Sequence, residues 1–225
     1  MSIFSKNKQK KRILNAAIVD LRNYTAAALD NIGLINAATV LIPINPSPDV
    51  IESYSNIKVK NIANELSVDK DALISEISGI TVIDENNYDP NIIYSTSGTV
   101  FIKKFDMDTP VRLISSGITL YEKGAKLQFI AISGIAYELG FVVEHTKTFG
   151  NSMEFDNRFI ELLEDNTLVI CGNSITFSPD VEEETLLNKN IHFAAGNTIK
   201  CSKKIKSVIQ TKSTLARKLS IYDEK

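Results

Sequence analysis

Tryptophan is absent, histidine and cysteine occur twice each, and six prolines are spread over 225 residues. Each shortage excludes something. His145, His192, Cys171 and Cys201 form no CxxC pair, no HExxH motif and no zinc spacing, so no metal centre is expected. The two cysteines read as reduced cytosolic thiols. No G-x-x-x-x-G-K-[ST] or G-x-G-x-x-G phosphate loop occurs and no G-x-S-x-G elbow, so neither a cofactor nor a catalytic residue is assigned. No apolar run is long enough to span a bilayer. The stretch after Lys10-Lys11-Arg12 is broken by Asn15, Asp20 and Arg22, too early for a secretory core. The chain is expected in the cytoplasm.

What is there is a recurring corner. Asn31, Asn56, Gly79, Gly98, Gly117, Gly134, Asn166 and Asn190, mostly preceded by Ser or Asp, each introduce an apolar-x-apolar stretch. They lie 25, 23, 19, 19, 17, 32 and 24 residues apart. A period near 20 indicates stacked coils. Gly and Asn suit such corners because both accept positive φ.

The first position after each corner holds Ile32, Ile57, Ile80, Thr99, Ile118, Ile135, Thr167 and Ile191. The third holds Leu34, Val59, Val82, Phe101, Leu120, Tyr137, Val169 and Phe193. Alternate residues of a strand share one face, so these two columns predict a continuous inner ladder. The expected fold is mainly β: a right-handed parallel β-solenoid of about eight to nine coils, with short helices returning the longer ones. A leucine-rich-repeat-like α/β solenoid is the alternative. Ser47-Pro48-Asp49 and Ser178-Pro179-Asp180 read as helix starts, and Ser67-Val68-Asp69 as a similar one. Two coils with Met153 and Phe155 inside would fill the long gap over 140–165. The expected organisation is a basic tail over 1–12, an N-terminal cap over 13–30, the solenoid over 31–204, and a C-terminal cap and tail over 205–225.

The remaining positions are apolar as well. Ile35, Ile83, Ile102, Tyr121 and Ile170 hold the fourth place, with Val100 and Leu168 in the second. These seven are expected to face outward as a strip for a protein partner or a second copy, unless the chain's own ends cover it. Next to the strip, Asp84, Lys103 and Glu122 form a charge column. A Lys between the carboxylates points to ion pairing, and a carbohydrate-active β-helix enzyme would need Asp84 and Glu122 to converge.

Charge is uneven. Residues 13–197 carry 12 basic and 25 acidic side chains, whereas 1–12 and 198–218 carry no acid. The cluster from Lys200 to Lys218 lacks interleaved aromatics, so a nucleic-acid partner is not favoured. Ile3 and Phe4 followed by Lys6, Lys8, Lys10, Lys11 and Arg12 make an apolar tip with a basic stretch. That segment and the Gly/Asn-cornered coils resemble bacterial parallel β-solenoids of the bactofilin type, from which the coils' length and return helices depart. The resemblance implies end-to-end polymerisation and contact with an anionic membrane surface through the N-terminal segment, peripheral at the inner face. The function expected from all of this is a non-catalytic structural or protein-interaction scaffold.

Overall fold

A strand of alternating aliphatics buries both faces only if something covers each side, and this chain arranges that twice over. A computed structural model describes residues 11–223, in two units, Met1–Ile74 and Ser75–Lys225. The protein is mainly β, and its sheets are parallel stacks of short strands, a β-solenoid arrangement.

The first unit alternates strand and helix: β1 (Arg12–Asp20), α1 (Ala26–Asp30), β2 (Ile32–Pro43), α2 (Pro48–Ser55) and β3 (Val59–Val68). The three strands form one sheet in the order β1-β2-β3. Thr25 caps α1 by accepting a hydrogen bond from the Ala28 amide, and Pro48 starts α2 where its missing N–H costs nothing. Val19, Leu29, Ile35, Val40 and Ile57 share one buried cluster. Arg22 is buried, forks onto Asp20 and donates to the carbonyls of Asp69 and Ala72. Burial alone would raise Asp20, but Arg22's hydrogen bonds and charge more than offset it and hold the carboxyl below its usual range.

The second unit holds eight coils in two arrays of four. The first array pairs β4 (Leu73–Ile77) with β5 (Ile80–Ile83), β6 (Ile92–Thr96) with β7 (Thr99–Ile102), β8 (Val111–Ser115) with β9 (Ile118–Glu122), and β10 (Leu127–Ile132) with β11 (Ile135–Leu139). The second runs β12 (His145–Phe149), β13 (Met153–Phe155), α3 (Asn157–Leu162), β14 (Thr167–Cys171), β15 (Ser174–Phe177), α4 (Glu183–Asn188), β16 (His192–Ala195), β17 (Thr198–Ser202), α5 (Lys206–Lys212), β18 (Ser213–Leu215) and β19 (Lys218–Tyr222). Its coils return through helices; α4 meets the expectation of a helix after Ser178-Pro179-Asp180, while α3 and α5 stand where none is expected. Each array is a sandwich of two four-stranded sheets.

The arrays meet sheet against sheet. Phe101, Leu120 and Leu139 of the first pack with Leu168, Ile170 and Ala194 of the second, with Ile80, Val82 and Ile118 beside them. This inverts the expected face in the first array. Ile80, Thr99, Ile118 and Ile135 do line up rung by rung, but that column looks toward the neighbouring array. The coil interior is filled instead by Ile83, Val100 and Ile102 against Tyr94, Val111 and Leu113. In the second array Val169 and Phe193 point inward as expected, within an aromatic core of Phe155, Phe177 and Phe193.

Three further expectations change. Residues 13–30 supply a strand of the first sheet, paired to β2, and 213–222 supply the last coil of the second array, so both presumed caps are rungs. The 140–165 gap holds one coil, β12 and β13, with Phe155 buried, because α3 takes up the remaining length. Residues 69–72 form a turn rather than a helix, and after Ser178 the helix begins only at Glu183.

The corners also have a different cause. Only Asn166 (φ 55°) and Asn190 (φ 48°) of the eight have positive φ. Asn31 and Asn56 end helices in right-handed geometry. At Gly98, Gly117 and Gly134 the requirement is contact: a Cβ on Gly117 would land inside the Gly98 carbonyl oxygen, because the coil backbones stack directly there.

Candidate functional site

Six of the seven residues of the expected partner strip have no free surface. Ile35, Ile83, Val100, Ile102, Leu168 and Ile170 are all at most 1% exposed. Tyr121 is half-buried and packs on the interior of the first array. Ile35 lies in the first unit's core; Ile83, Val100 and Ile102 lie inside the first array, and Leu168 and Ile170 lie between the arrays. The strip is apolar because its sheets are covered on both sides.

The charge column does not assemble a carboxylate pair. Rungs are about 4.8 Å apart, and Lys103 stands on the rung between Asp84 and Glu122. Asp84 accepts from the Asn86 amide in its own turn at 3.0 Å. Glu122 accepts from the Lys104 amide at 2.6 Å and from the Val143 amide at 3.3 Å. Both carboxylates therefore hold backbone. Among the described residues, no group of three or more His, Cys, Asp or Glu is placed to hold a metal ion. Both cysteines are free and buried, and burial pushes the Cys171 thiol up to about 12. It is no nucleophile at neutral pH.

One surface that the fold leaves open is the last rung of the first array. Among the described residues β11 pairs with β9 alone and β10 with β8 alone, so each presents an edge that no described strand covers. After Leu139 the chain crosses to the second array, pinned by the Val143–Glu122 hydrogen bond and by Phe141 stacked on His192. It leaves Ile132, Ile135 and Tyr137 44–47% exposed on this rung. Two hollows flank it. One, of about 460 Å³, is lined by Lys104, Glu122, Lys123 and the Leu139–Val143 crossing. The other, of about 480 Å³, runs along Ser97, Ser116 and Ser133 and their glycines to Arg217.

His192 sits at the base of the crossing. Its ring lies 3.5 Å from Phe141 at an interplanar angle of 11°, and Nε2 is 3.3 Å from Asn190 Oδ1. Asn190 donates to Asn166 at 2.6 Å and accepts from Lys212. Burial, with the Lys212 charge as a lesser cause, pushes the His192 pKa down to about 4. The unfolded chain therefore binds the proton first as pH falls. The stability contributed by neutral His192 is complete above about pH 6.5 and is lost progressively between there and about pH 4. The expected loss is on the order of 3 kcal/mol at most. Urea unfolding across this range checks it: His192→Phe, which keeps the stack, flattens that part of the profile.

Of the expected lipid-contact residues, Ile3, Phe4, Lys6, Lys8 and Lys10 lie outside the described residues; Lys11 and Arg12 are exposed at the start of β1. Among the described residues no helix is long and apolar enough to cross a membrane. The first unit has a hollow of its own, about 350 Å³, lined by Leu21, Leu29, Ile42, Val50 and Tyr54. Burial, and then the Glu65 carboxylate, push the Tyr54 phenol above its usual range.

No protein-family model matches this chain, and neither does any curated protein or solved structure. The residues of the open rung, but not its openness, are legible in the sequence. Ile135 and Tyr137 belong to the expected ladder. Nothing in the spacing distinguishes a final rung from an internal one.

Proposed function

We propose that this protein is a non-catalytic interaction scaffold that receives a partner, or another copy, on the open rung of its first array. The observation that carries this reading is the exposure of Ile132, Ile135 and Tyr137 beside strand edges that no described strand covers. Edges of this kind invite strand addition unless they are covered. Two features support it further. The rung rests on a rigid stack whose neighbouring carboxylates are spent on backbone hydrogen bonds. The hollows on either side add apolar walls and the charges of Lys104, Lys123 and Arg217 at the rim.

The test is affinity capture from the native cell with wild type and with the double variant Ile135→Glu/Tyr137→Lys, each verified as folded. A retained protein, or the chain's own second copy, is expected with wild type and is lost with the variant. Identical retention by both overturns the reading.

A further inference from the structure

We propose that the hollow of the first unit binds a small uncharged amphiphile, an apolar body of roughly six to ten carbons ending in a hydroxyl group. The site lies wholly within the first unit and is independent of the open rung.

The hollow measures about 350 Å³ and is lined from α1, α2, β2 and β3. Val50, Ile51, Tyr54 and Ser55 fall one and four residues apart, so they share one side of α2 and line it together. Leu21, Leu29 and Ile42 complete an apolar wall. Ile51 is 51% exposed, so its apolar surface borders a space that no described side chain fills. A dry aliphatic cavity of about 150 Å³ already holds benzene. This hollow has room for a longer body.

The lining also carries three polar groups: Tyr54, Lys60 and Glu65. The Tyr54 hydroxyl is shielded from solvent, yet it makes no hydrogen bond of regular geometry with a described residue. A buried hydroxyl left in this state is costly, and a phenol both donates and accepts. Lys60 does not serve it. The ammonium lies over the face of the Tyr54 ring, 4.4 Å from its centroid, and donates to the Tyr54 carbonyl at 3.3 Å. The Glu65 carboxylate is close enough to act on the phenol, but a carboxylate only accepts. It can take the phenol's proton and leaves the oxygen's lone pairs without a donor. Together these groups select the head of the ligand. Glu65 opposes an anion, Lys60 opposes a cation, and the Tyr54 oxygen lacks a donor. A hydroxyl supplies one without bringing in a charge that must be desolvated.

NMR titration of the methyl-labelled full chain with 1-octanol, octanoate and octylammonium tests this. 1-Octanol is expected to bind saturably with a Kd below ~1 mM and to shift the Leu21, Leu29 and Val50 methyls. The two charged homologues, which differ only in the head, are expected to bind at least about tenfold more weakly. Tyr54→Phe keeps the ring and removes the unsatisfied hydroxyl. It is expected to melt no lower than wild type and to bind 1-octanol about tenfold more weakly. Ile51→Ser, at an exposed position, is expected to keep the fold and to weaken all three ligands. The absence of a saturable shift with 1-octanol overturns the proposal. So does a charged homologue that binds as tightly as 1-octanol, or either variant binding 1-octanol as wild type does. Ile135→Glu/Tyr137→Lys is expected to bind 1-octanol unchanged, so failure of the open-rung reading and failure of this one register separately.

Discussion

Ile102→Glu is expected to leave the second unit unfolded. Ile102 has no measurable exposure and lies inside the first array, in the same cluster as Tyr94, Val111 and Leu113. None of these offers a partner for a carboxylate. Burying an unpaired charge costs several kcal/mol even after the group protonates, ~4 or more here. A domain's whole stability is about 5–15 kcal/mol. The expected result is aggregated or molten protein, read by near-UV circular dichroism and soluble yield. Two companions calibrate it. Ile102→Val should cost about 1 kcal/mol as a lost methyl. Ile132→Glu, on the open rung, should stay within about 0.5 kcal/mol of wild type. If Ile102→Glu folds normally and changes only association, the interior and exterior faces of this sheet are reversed.

Gly117→Ala is expected to cost ~3 kcal/mol, although it adds one methyl group. The added carbon would meet the Gly98 carbonyl oxygen and the Ser97 carbonyl group. Both are backbone atoms of the preceding coil, so no side chain can swing aside. The rungs would have to part, at the corner where the Gly117 and Ile118 amides donate to Thr96 and Gly98. Gly79→Ala is the control. It occupies the same corner on the first rung, where nothing lies within 4 Å of the added carbon. It should be neutral, or stabilising by up to ~1 kcal/mol because the unfolded chain loses freedom. Urea midpoints of the two variants check the contrast. Equal effects would mean that the coils are not in direct backbone contact.

The corners, the two aliphatic columns and the returns through α2 and α4 are all legible in the sequence, because each is a local pattern. Which face of a column points inward is not. Alternation gives two faces and no sign, and the sign was to come from polarity on the outer face. Here the second array supplies apolar cover, so Val100 and Phe101 are equally buried on opposite sides of one strand. The same ambiguity makes the seven-residue strip read as a surface. The corner glycines point to the right residue type for an incomplete reason: spacing does not distinguish a need for positive φ from a need for closeness, and closeness governs at Gly98, Gly117 and Gly134. The Phe141–His192 stack joins residues 51 positions apart with no repeat between them, and nothing periodic could have signalled it.

Face-to-face packing of the two four-coil arrays also limits how this chain can grow. A single-file solenoid gains a coil by duplication and loses little, since a new turn needs only the turn beneath it. Here an extra turn in one stack would project past its companion with one greasy side bare, and would move the crossing at Phe141 off His192. Lengthening would have to happen in both stacks together, so the number of turns is coupled between the two successive stretches of gene that encode them.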